Sequence, residues 1–159
     1  MITDKFGNLL QELGQILKAK LEPDKNGACL LRFKNGLQVQ LELGSRGENL
    51  MLVCDLGELS QGRYRENIFR EALKANGLPP PRSGIFAYGK KTESLVLYDQ
   101  LLLEELSGQK LADFLRSFTQ KAELWKTSIA RGEVPSFMGN ELSFGQTGGA
   151  PGGLFGLIK

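Results

Sequence analysis

The chain has 159 residues, of which 41% are hydrophobic, so it is long enough to form one compact domain around a buried core. Its 20 basic and 18 acidic residues are scattered and give a net charge of only +2, which argues against a nucleic acid as the partner. The absence of histidine excludes His-based triads and zinc sites, and two cysteines are too few for a cysteine-only zinc site.

The first predicted element is a helix that Thr3 or Asp4 can cap and that runs to about Lys20. Apolar residues recur along it at helical spacing, at Ile2, Phe6, Leu9, Leu10, Leu13, Ile16, Leu17 and Leu21. This stripe is broad for a helix that only packs on a sheet. Two interpretations stay open: the whole stripe is core, or its rim is left uncovered for a partner.

The segment 28–56 predicts a meander of three antiparallel strands. Its first loop contains asparagine followed by glycine between apolar runs, which is a hairpin signal because both residue types tolerate positive φ. A three-residue loop, 34–36, sets Leu31 opposite Val39, whereas a two-residue loop would set Arg32 there. We therefore predict the three-residue form, with its glycine in the left-handed conformation.

The third strand of this meander, Leu50–Leu56, is apolar on both faces and should lie centrally in the sheet. Both cysteines, Cys29 and Cys54, fall inside predicted strands. A free thiol in that position behaves as a small apolar group, so we favour core packing over a disulfide.

A second predicted helix, Arg63–Asn76, carries two apolar faces. Phe69 and Leu73 turn away from the other apolar residues, which are Tyr64, Ile68, Ala72 and Ala75. Two faces need two surfaces to pack against; the sheet supplies one, and a second subunit would naturally supply the other. The alternative is that a loop or the C-terminal tail covers Phe69 and Leu73.

The segment 78–81 is proline-rich and predicts a stiff connector to a second hairpin, with strands 85–88 and 95–98. A third helix starts near Ser107, and one clean stripe marks it as a core helix: Leu111, Phe114, Leu115, Phe118, Ala122, Trp125 and Ile129. The glycine-rich composition of residues 132–159 predicts a flexible tail after a domain that spans residues 1–131. The fold class is α+β: a twisted antiparallel sheet of about five strands with three helices, in the order α-β-β-β-α-β-β-α.

The sequence places no two catalytic groups together, so we expect a protein that is not an enzyme and that uses no metal and no cofactor. The glycine-rich tail lacks the Gly-Lys-Ser/Thr ending of a phosphate-binding loop. No apolar run approaches the roughly 18 residues that span a bilayer, and the N-terminus lacks the order of a signal peptide. We therefore expect a cytoplasmic protein with neither nucleic acid nor membrane as a partner.

Several short patterns, taken together in chain order, are typical of one family. They are Phe6 with Leu9-Leu10, Glu12-Leu13-Gly14, Pro23-Asp24-Lys25-Asn26, Ala28-Cys29, Arg32-Phe33, Ile68-Phe69, Ala72-Leu73, Asn76-Gly77, Tyr88-Gly89 and Gly108-Gln109-Lys110-Leu111-Ala112. Through them the chain resembles, over approximately residues 1–131, the class I type III secretion chaperones of the Tir-chaperone (CesT-like) family, in particular the SycE-type chaperones of chlamydia-like bacteria. It departs from the usually acidic family in being slightly basic, and the tail lies outside the shared pattern.

The resemblance implies a homodimer, or a heterodimer with a related chaperone, that binds the N-terminal segment of a secreted type III effector or gatekeeper protein. The segment would be held extended, stable and export-competent, and delivered to the ATPase of the secretion apparatus. We expect substrate contacts at Leu10, Leu13, Leu17, Leu31, Phe33, Val39 and Leu41. We expect dimer contacts at Ile68, Phe69, Leu73, Ile85 and Phe86. Ordinary core packing is the alternative for each of these residues.

Two other functions remain open at this point. A dimeric, non-catalytic scaffold module would share the fold but would bind a folded partner instead of a short unfolded peptide. A small-molecule enzyme or sensor would need a closed, concave pocket with converging polar groups.

Overall fold

The computed structural model describes residues 2–135, which form one antiparallel sheet with three helices. The elements are, in chain order, α1 (Ile2–Leu17), β1 (Ala28–Arg32), β2 (Gln38–Leu43), β3 (Asn49–Glu58), α2 (Arg63–Asn76), β4 (Ile85–Gly89), β5 (Ser94–Leu102) and α3 (Gly108–Ala130), with a 3-10 turn at Leu103–Glu105 before α3. This order confirms the predicted α+β class. The tail predicted over residues 132–159 lies outside the described residues from position 136 onward.

The five strands lie in the order β1-β2-β3-β5-β4, and each neighbouring pair is antiparallel. The strand β3 is therefore central, as its two apolar faces predict. The strands at the two edges are β1 and β4. An edge strand has main-chain groups on one side that no neighbouring strand satisfies, so these two strands are where the sheet can meet another chain.

The hairpin of β1 and β2 has the predicted register, with Leu31 opposite Val39. The N–H of Phe33 donates to the carbonyl oxygen of Leu37 across 2.9 Å, which closes a loop of three residues. Gly36 has a φ of 86°, in the left-handed region that the loop requires. The prediction of a three-residue loop is confirmed.

Some element boundaries differ from the predictions. The helix α1 begins at Ile2, ahead of Thr3 and Asp4, and so starts earlier than predicted. The strand β3 covers Asn49–Glu58, and β5 covers Ser94–Leu102, so both are longer than predicted. Each of them pairs with strands on both sides, and this pairing keeps polar residues at their ends in the sheet.

The helix α1 ends at Leu17 and does not reach Lys20 as predicted. Lys18 adopts a φ of 54°, and the N–H of Ala19 donates to the carbonyl oxygen of Gly14 across 2.9 Å. This pattern closes a helix C-terminus by reversing the chain. A Cβ atom on Gly14 would lie 2.5 Å from the carbonyl oxygen of Ala19, so the turn requires glycine there.

The helices α1 and α3 cross closely. The side chain of Glu12 accepts a hydrogen bond from the N–H of Gly108 at 2.7 Å, at the start of α3, where main-chain donors have no partner within the helix. A Cβ atom on Gly108 would lie 2.5 Å from the Cβ of Glu12, so glycine permits this approach. Ser107 caps α3 by accepting from the N–H of Lys110, which confirms the predicted start.

One core lies between the sheet and the helices. Its fully buried side chains include Leu10, Leu13, Leu41, Leu52, Ile68, Leu97 and Phe118. Cys29 and Cys54 are both buried and unbridged, as the preference for core packing predicts. The burial of this apolar surface is the main contribution to the stability of the domain.

Candidate protein-interaction surfaces

The structure places five of the seven predicted substrate contacts inside the core. These five are Leu10, Leu13, Leu31, Val39 and Leu41, and each exposes at most 3% of its surface. They occupy the core-facing positions of α1, β1 and β2, where apolar side chains stabilise the fold. They therefore lie behind the surface of the isolated subunit, and their contact with a partner stays a prediction.

The other two predicted contacts, Leu17 and Phe33, are half-buried at the border of the core. Two further apolar residues on the same elements are more accessible: Ile16 exposes 41% of its surface and Leu30 exposes 43%. Leu30 was not among the predicted substrate contacts, because strand alternation assigns its side chain to the face of the sheet opposite the core. Accessible apolar surface therefore lies at the end of α1 and on the outside of β1.

A groove of about 650 Å³ runs between α1 and the connection that leads to β1. It is lined by Gly7, Leu10, Gly14, Ala19, Leu21 and Pro23, among others. Apart from its chain neighbours and the backbone of its own helix, nothing lies within 4 Å of the position that a Cβ on Gly7 would take, so the groove is open above that residue. On its rim, Lys20 pairs with Glu22 at 3.1 Å. Gln11 and Gln15 also line the groove, so it offers both apolar and polar contacts to a partner segment.

The free edge of β1 is open in its second half. Because Phe33 bonds to β2, ladder alternation directs the main-chain groups of Leu30 and Arg32 away from the sheet. Among the described residues, no side chain hydrogen bonds to the main chain of either residue. Asp24 occupies only the start of the edge, where its N–H donates to the carbonyl oxygen of Ala28 and its side chain accepts from the Ala28 N–H.

The free edge of β4 is occupied by a side chain of α2. The amide of Asn76 accepts from the N–H of Phe86 at 2.8 Å and donates to the carbonyl oxygen of the same residue at 2.9 Å. Both outward main-chain groups of Phe86 are thus satisfied within the chain. Asn76 itself is held at the end of α2 by Arg82, whose guanidinium donates to the Asn76 carbonyl oxygen.

The predicted dimer contacts divide into buried and accessible residues. Ile68 is fully buried and Phe86 exposes 5% of its surface, so both belong to the core of the subunit, and their assignment to an interface stays a prediction. Phe86 packs against Trp125 with ring centroids 4.2 Å apart. Phe69 and Ile85 are half-buried, and Leu73 exposes 70%.

An aromatic and cationic cluster lies beside Leu73 on the surface of α2. The rings of Phe69 and Tyr88 meet edge to face at 5.2 Å, and the guanidinium of Arg65 lies within 6 Å of both ring centroids. Such a cluster holds α2 against β4 through its own contacts. The remaining apolar side chain on that surface, Leu73, has 70% of its surface available to a partner.

The described residues offer little chemistry. Within residues 2–135, no three histidine, cysteine, aspartate or glutamate side chains come together in a way that could hold a metal ion. Burial raises the pKa of the Cys54 thiol to about 11 and also raises the pKa of Cys29, so both thiols stay protonated at neutral pH. In the same part of the chain, no helix combines the length and the apolar character needed to cross a membrane.

The sequence identified Asn76 only as the end of a helix and did not predict its hydrogen bonds to β4. The pattern Asn76-Gly77 marks where α2 stops, but only the packing of α2 beside β4 brings the amide to Phe86, ten residues further along. The motif residues Glu12, Asp24 and Gly108 likewise prove to be junctions between elements.

The fold and these surfaces define a class: a small α+β domain with accessible apolar surface, one open sheet edge and a shallow groove. The family model described as "Tir chaperone protein (CesT) family" matches residues 8–126. The chain belongs to this family, which is a family of chaperones. A search of curated proteins finds no significant match in sequence.

Solved structures of secretion chaperones share the fold. The Yersinia pestis type III secretion chaperone SycH, in complex with a fragment of YscM2, is 24% identical with a TM-score of 0.59, over 76% of this chain and 98% of that one. A chain of the HopA1–SchA chaperone–effector complex is 19% identical with a TM-score of 0.64, over 79% and 95%. A chain of the ExsC–ExsE complex is 24% identical with a TM-score of 0.61, over 79% and 93%.

Proposed function

We propose that this protein is a type III secretion chaperone that binds the N-terminal segment of a secreted effector or gatekeeper protein and keeps it extended and export-competent. Membership of the Tir chaperone family supports the proposal. The single structural observation that carries it is the combination of the open edge of β1 with a groove between α1 and the connection that leads to β1. An extended segment can use both, because it offers main-chain groups and apolar side chains together.

The substrate segment adds its main chain to the β1 edge beside Leu30 and Arg32. Its apolar side chains contact Leu30 and, through the groove, the surface around Gly7 and Leu21. The seven residues first expected as contacts act mainly as the support of this surface, with Leu17 and Phe33 at its border. Affinity comes from several such anchors, reduced by the entropy of ordering the segment.

The protein acts as a homodimer, with α2 at the interface. Leu73 with 70% of its surface exposed, together with half-buried Phe69 and Ile85, supplies the apolar contact. Exposure of this leucine to water is unfavourable in the monomer. Its burial against a second copy would lower the free energy of the dimer. A related chaperone with the same surface can take the place of one subunit, which would give a heterodimer.

The protein works in the bacterial cytoplasm, without catalysis and without a cofactor, and it hands its substrate to the ATPase of the secretion apparatus. The absence of a metal-binding cluster from residues 2–135 is compatible with this. Both cysteines are buried and unbridged, as expected for a reducing compartment.

The test is an affinity capture from the native bacterium, combined with light-scattering mass determination of the purified protein alone and of the captured complex. We expect a dimer that retains one secreted protein through its N-terminal segment. Deletion of that segment should abolish capture, whereas the isolated segment should suffice for binding and should become protected from protease.

Other results would reject the proposal. A protein that is strictly monomeric in solution would contradict the proposed dimer. Capture of folded cytoplasmic proteins alone would favour a scaffold module. A matched substrate variant, with the apolar residues of its N-terminal segment changed to serine, controls for binding through charge.

A further inference from the structure

The two edges of the sheet differ in how their main-chain groups are satisfied. At β4, the Asn76 amide makes two hydrogen bonds to one residue, one to the N–H and one to the carbonyl oxygen of Phe86. A neighbouring strand makes the same pair of bonds in an antiparallel ladder. The side chain of Asn76 therefore takes the place of a sixth strand at this position.

The residue before β4 is satisfied in the same manner. The N–H of Gly84 donates to the carboxylate of Asp99 on β5 at 2.9 Å, and its carbonyl oxygen accepts from the ammonium of Lys121 on α3 at 3.0 Å. The Lys121 ammonium also lies 4.8 Å from the centre of the Phe86 ring. Three side chains, from three different elements, thus close the first half of the β4 edge.

Within residues 2–135, no side chain closes the β1 edge at Leu30 and Arg32 in this way, because Asp24 reaches only Ala28. Through its main-chain edges alone, a sheet with one open edge can join only one other sheet. A sheet with two open edges can join head to tail without end, since each copy offers one edge and accepts another.

We propose that Asn76 prevents open-ended assembly of this protein, by closing the β4 edge against the β1 edge of a second copy. Asn76 thereby determines how copies can associate. Strand addition is restricted to the β1 edge, and association at α2 occurs through side-chain contacts. The partner excluded is this same chain, so the proposal goes beyond substrate binding and is tested without the substrate.

The test compares the purified wild-type protein with N76A and with N67A, by sedimentation velocity over a concentration series and by hydrogen exchange at the Phe86 amide. Asn67 lies on the same helix without a hydrogen bond to β4, so N67A makes the same chemical change as a matched control. For N76A we expect at least ten-fold faster exchange at Phe86 and species that grow with concentration beyond the wild-type mass. For N67A we expect no change in either.

The double variant N76A/L30P identifies the edges that pair. Proline at position 30 removes the outward N–H from β1, so the wild-type mass should return. N76D keeps the acceptor for the Phe86 N–H but loses the donor to its carbonyl oxygen; it should assemble to a smaller extent, and it serves if N76A fails to fold. The proposal is overturned if both N76A and N76D keep the wild-type mass, or if assembly of N76A persists with proline at position 30.

Discussion

The edges β1 and β4 belong to the same sheet but face different surroundings. At β4, the helix α2 lies alongside and Asn76 fills the main-chain positions of Phe86. At β1, Asp24 is the residue of the described part of the chain that hydrogen bonds to the outer edge, at Ala28, and Leu30 remains 43% exposed with its main chain directed outward. The difference shows that strand composition alone does not decide which edge is available. The neighbouring helix decides it.

The largest effect is expected from proline substitutions on β1. They test whether residues whose N–H faces β2 and residues whose N–H faces the open edge contribute differently to stability. Leu31 is buried and bonds inward to β2, so Leu31→Pro should cost about 3 kcal/mol or more of unfolding free energy, from a lost ladder bond and a lost core side chain. Leu30→Pro removes only an outward N–H and should cost about 1 kcal/mol. Urea denaturation of both variants measures this, and equal losses would reject the assignment of the open edge.

The second effect concerns α2 beside the closed edge. Leu73→Asp should lower the folding stability of the subunit by only about 1 kcal/mol, through lower helix propensity and a negative charge near the end of α2, because the side chain is 70% exposed. It should weaken dimerisation about 100-fold or more, since an unpaired carboxylate would be buried at the interface. Sedimentation equilibrium measures the dissociation constant. The matched control is Leu124→Asp on α3, where the leucine is 38% exposed; equal weakening there would place the interface elsewhere.

The third effect is the contribution of the two Asn76–Phe86 hydrogen bonds at the β4 edge to the free energy of unfolding. Asn76→Ala removes two hydrogen bonds to partly buried main-chain groups and should lower the free energy of unfolding by about 2 kcal/mol. Chemical denaturation at low protein concentration separates this loss from self-association. Asn67→Ala should stay within about 0.5 kcal/mol of the wild type. A loss of similar size in both variants would mean that helix propensity, and not the contact with Phe86, is responsible.

A smaller effect is expected in the α1 groove, which the connection through Asp24 joins to β1. Gly7→Ala should raise the free energy of unfolding by about 1 kcal/mol, because glycine is unfavourable within a helix and no atom opposes a Cβ at this position. Gly7→Leu should keep the fold and fill the groove, so that binding of the captured N-terminal segment weakens about ten-fold. Calorimetric titration measures the binding, and unchanged affinity would exclude the groove as a contact.

The smallest effect is a pH dependence at the closed edge. Burial lowers the pKa of Lys121, although Asp99 opposes this and Arg82 adds to it. Between the lowered folded pKa and the ordinary value of 10.5, the unfolded chain binds more protons than the folded one, so this lysine makes stability rise with pH. The stability difference between the wild type and Lys121→Met should therefore shift in favour of the wild type as pH approaches 10.5. Denaturation at a series of pH values measures it, and a constant difference would contradict it.

The family resemblance also has a physical explanation in this comparison. The patterns that carry it include Glu12 and Gly108, which fix the crossing of α1 and α3, and Asn76, which joins α2 to β4. These residues join one secondary-structure element to another, and their contacts do not depend on which side chains are exposed at the surface. Leu30, which is exposed on β1, falls outside these patterns, so the resemblance identifies the fold more firmly than the partner.

The sequence by itself determined the elements whose signals are local. The loop at residues 34–36 and the register of Leu31 with Val39 follow from turn chemistry and alternation, and the helix Arg63–Asn76 follows from its own periodicity and end. Local signals suffice there because the residues that choose the conformation are neighbours in the chain.

Only the tertiary structure decided which apolar residues are interior and which edge is open. A broad stripe on α1 does not reveal that Leu10 and Leu13 are covered completely while Ile16 stays 41% exposed, because coverage depends on the crossing with α3. The amide of Asn76 reaches Phe86 only after α2 packs beside β4. Burial and edge closure are contacts between distant parts of the chain, and periodicity within one element carries no information about them.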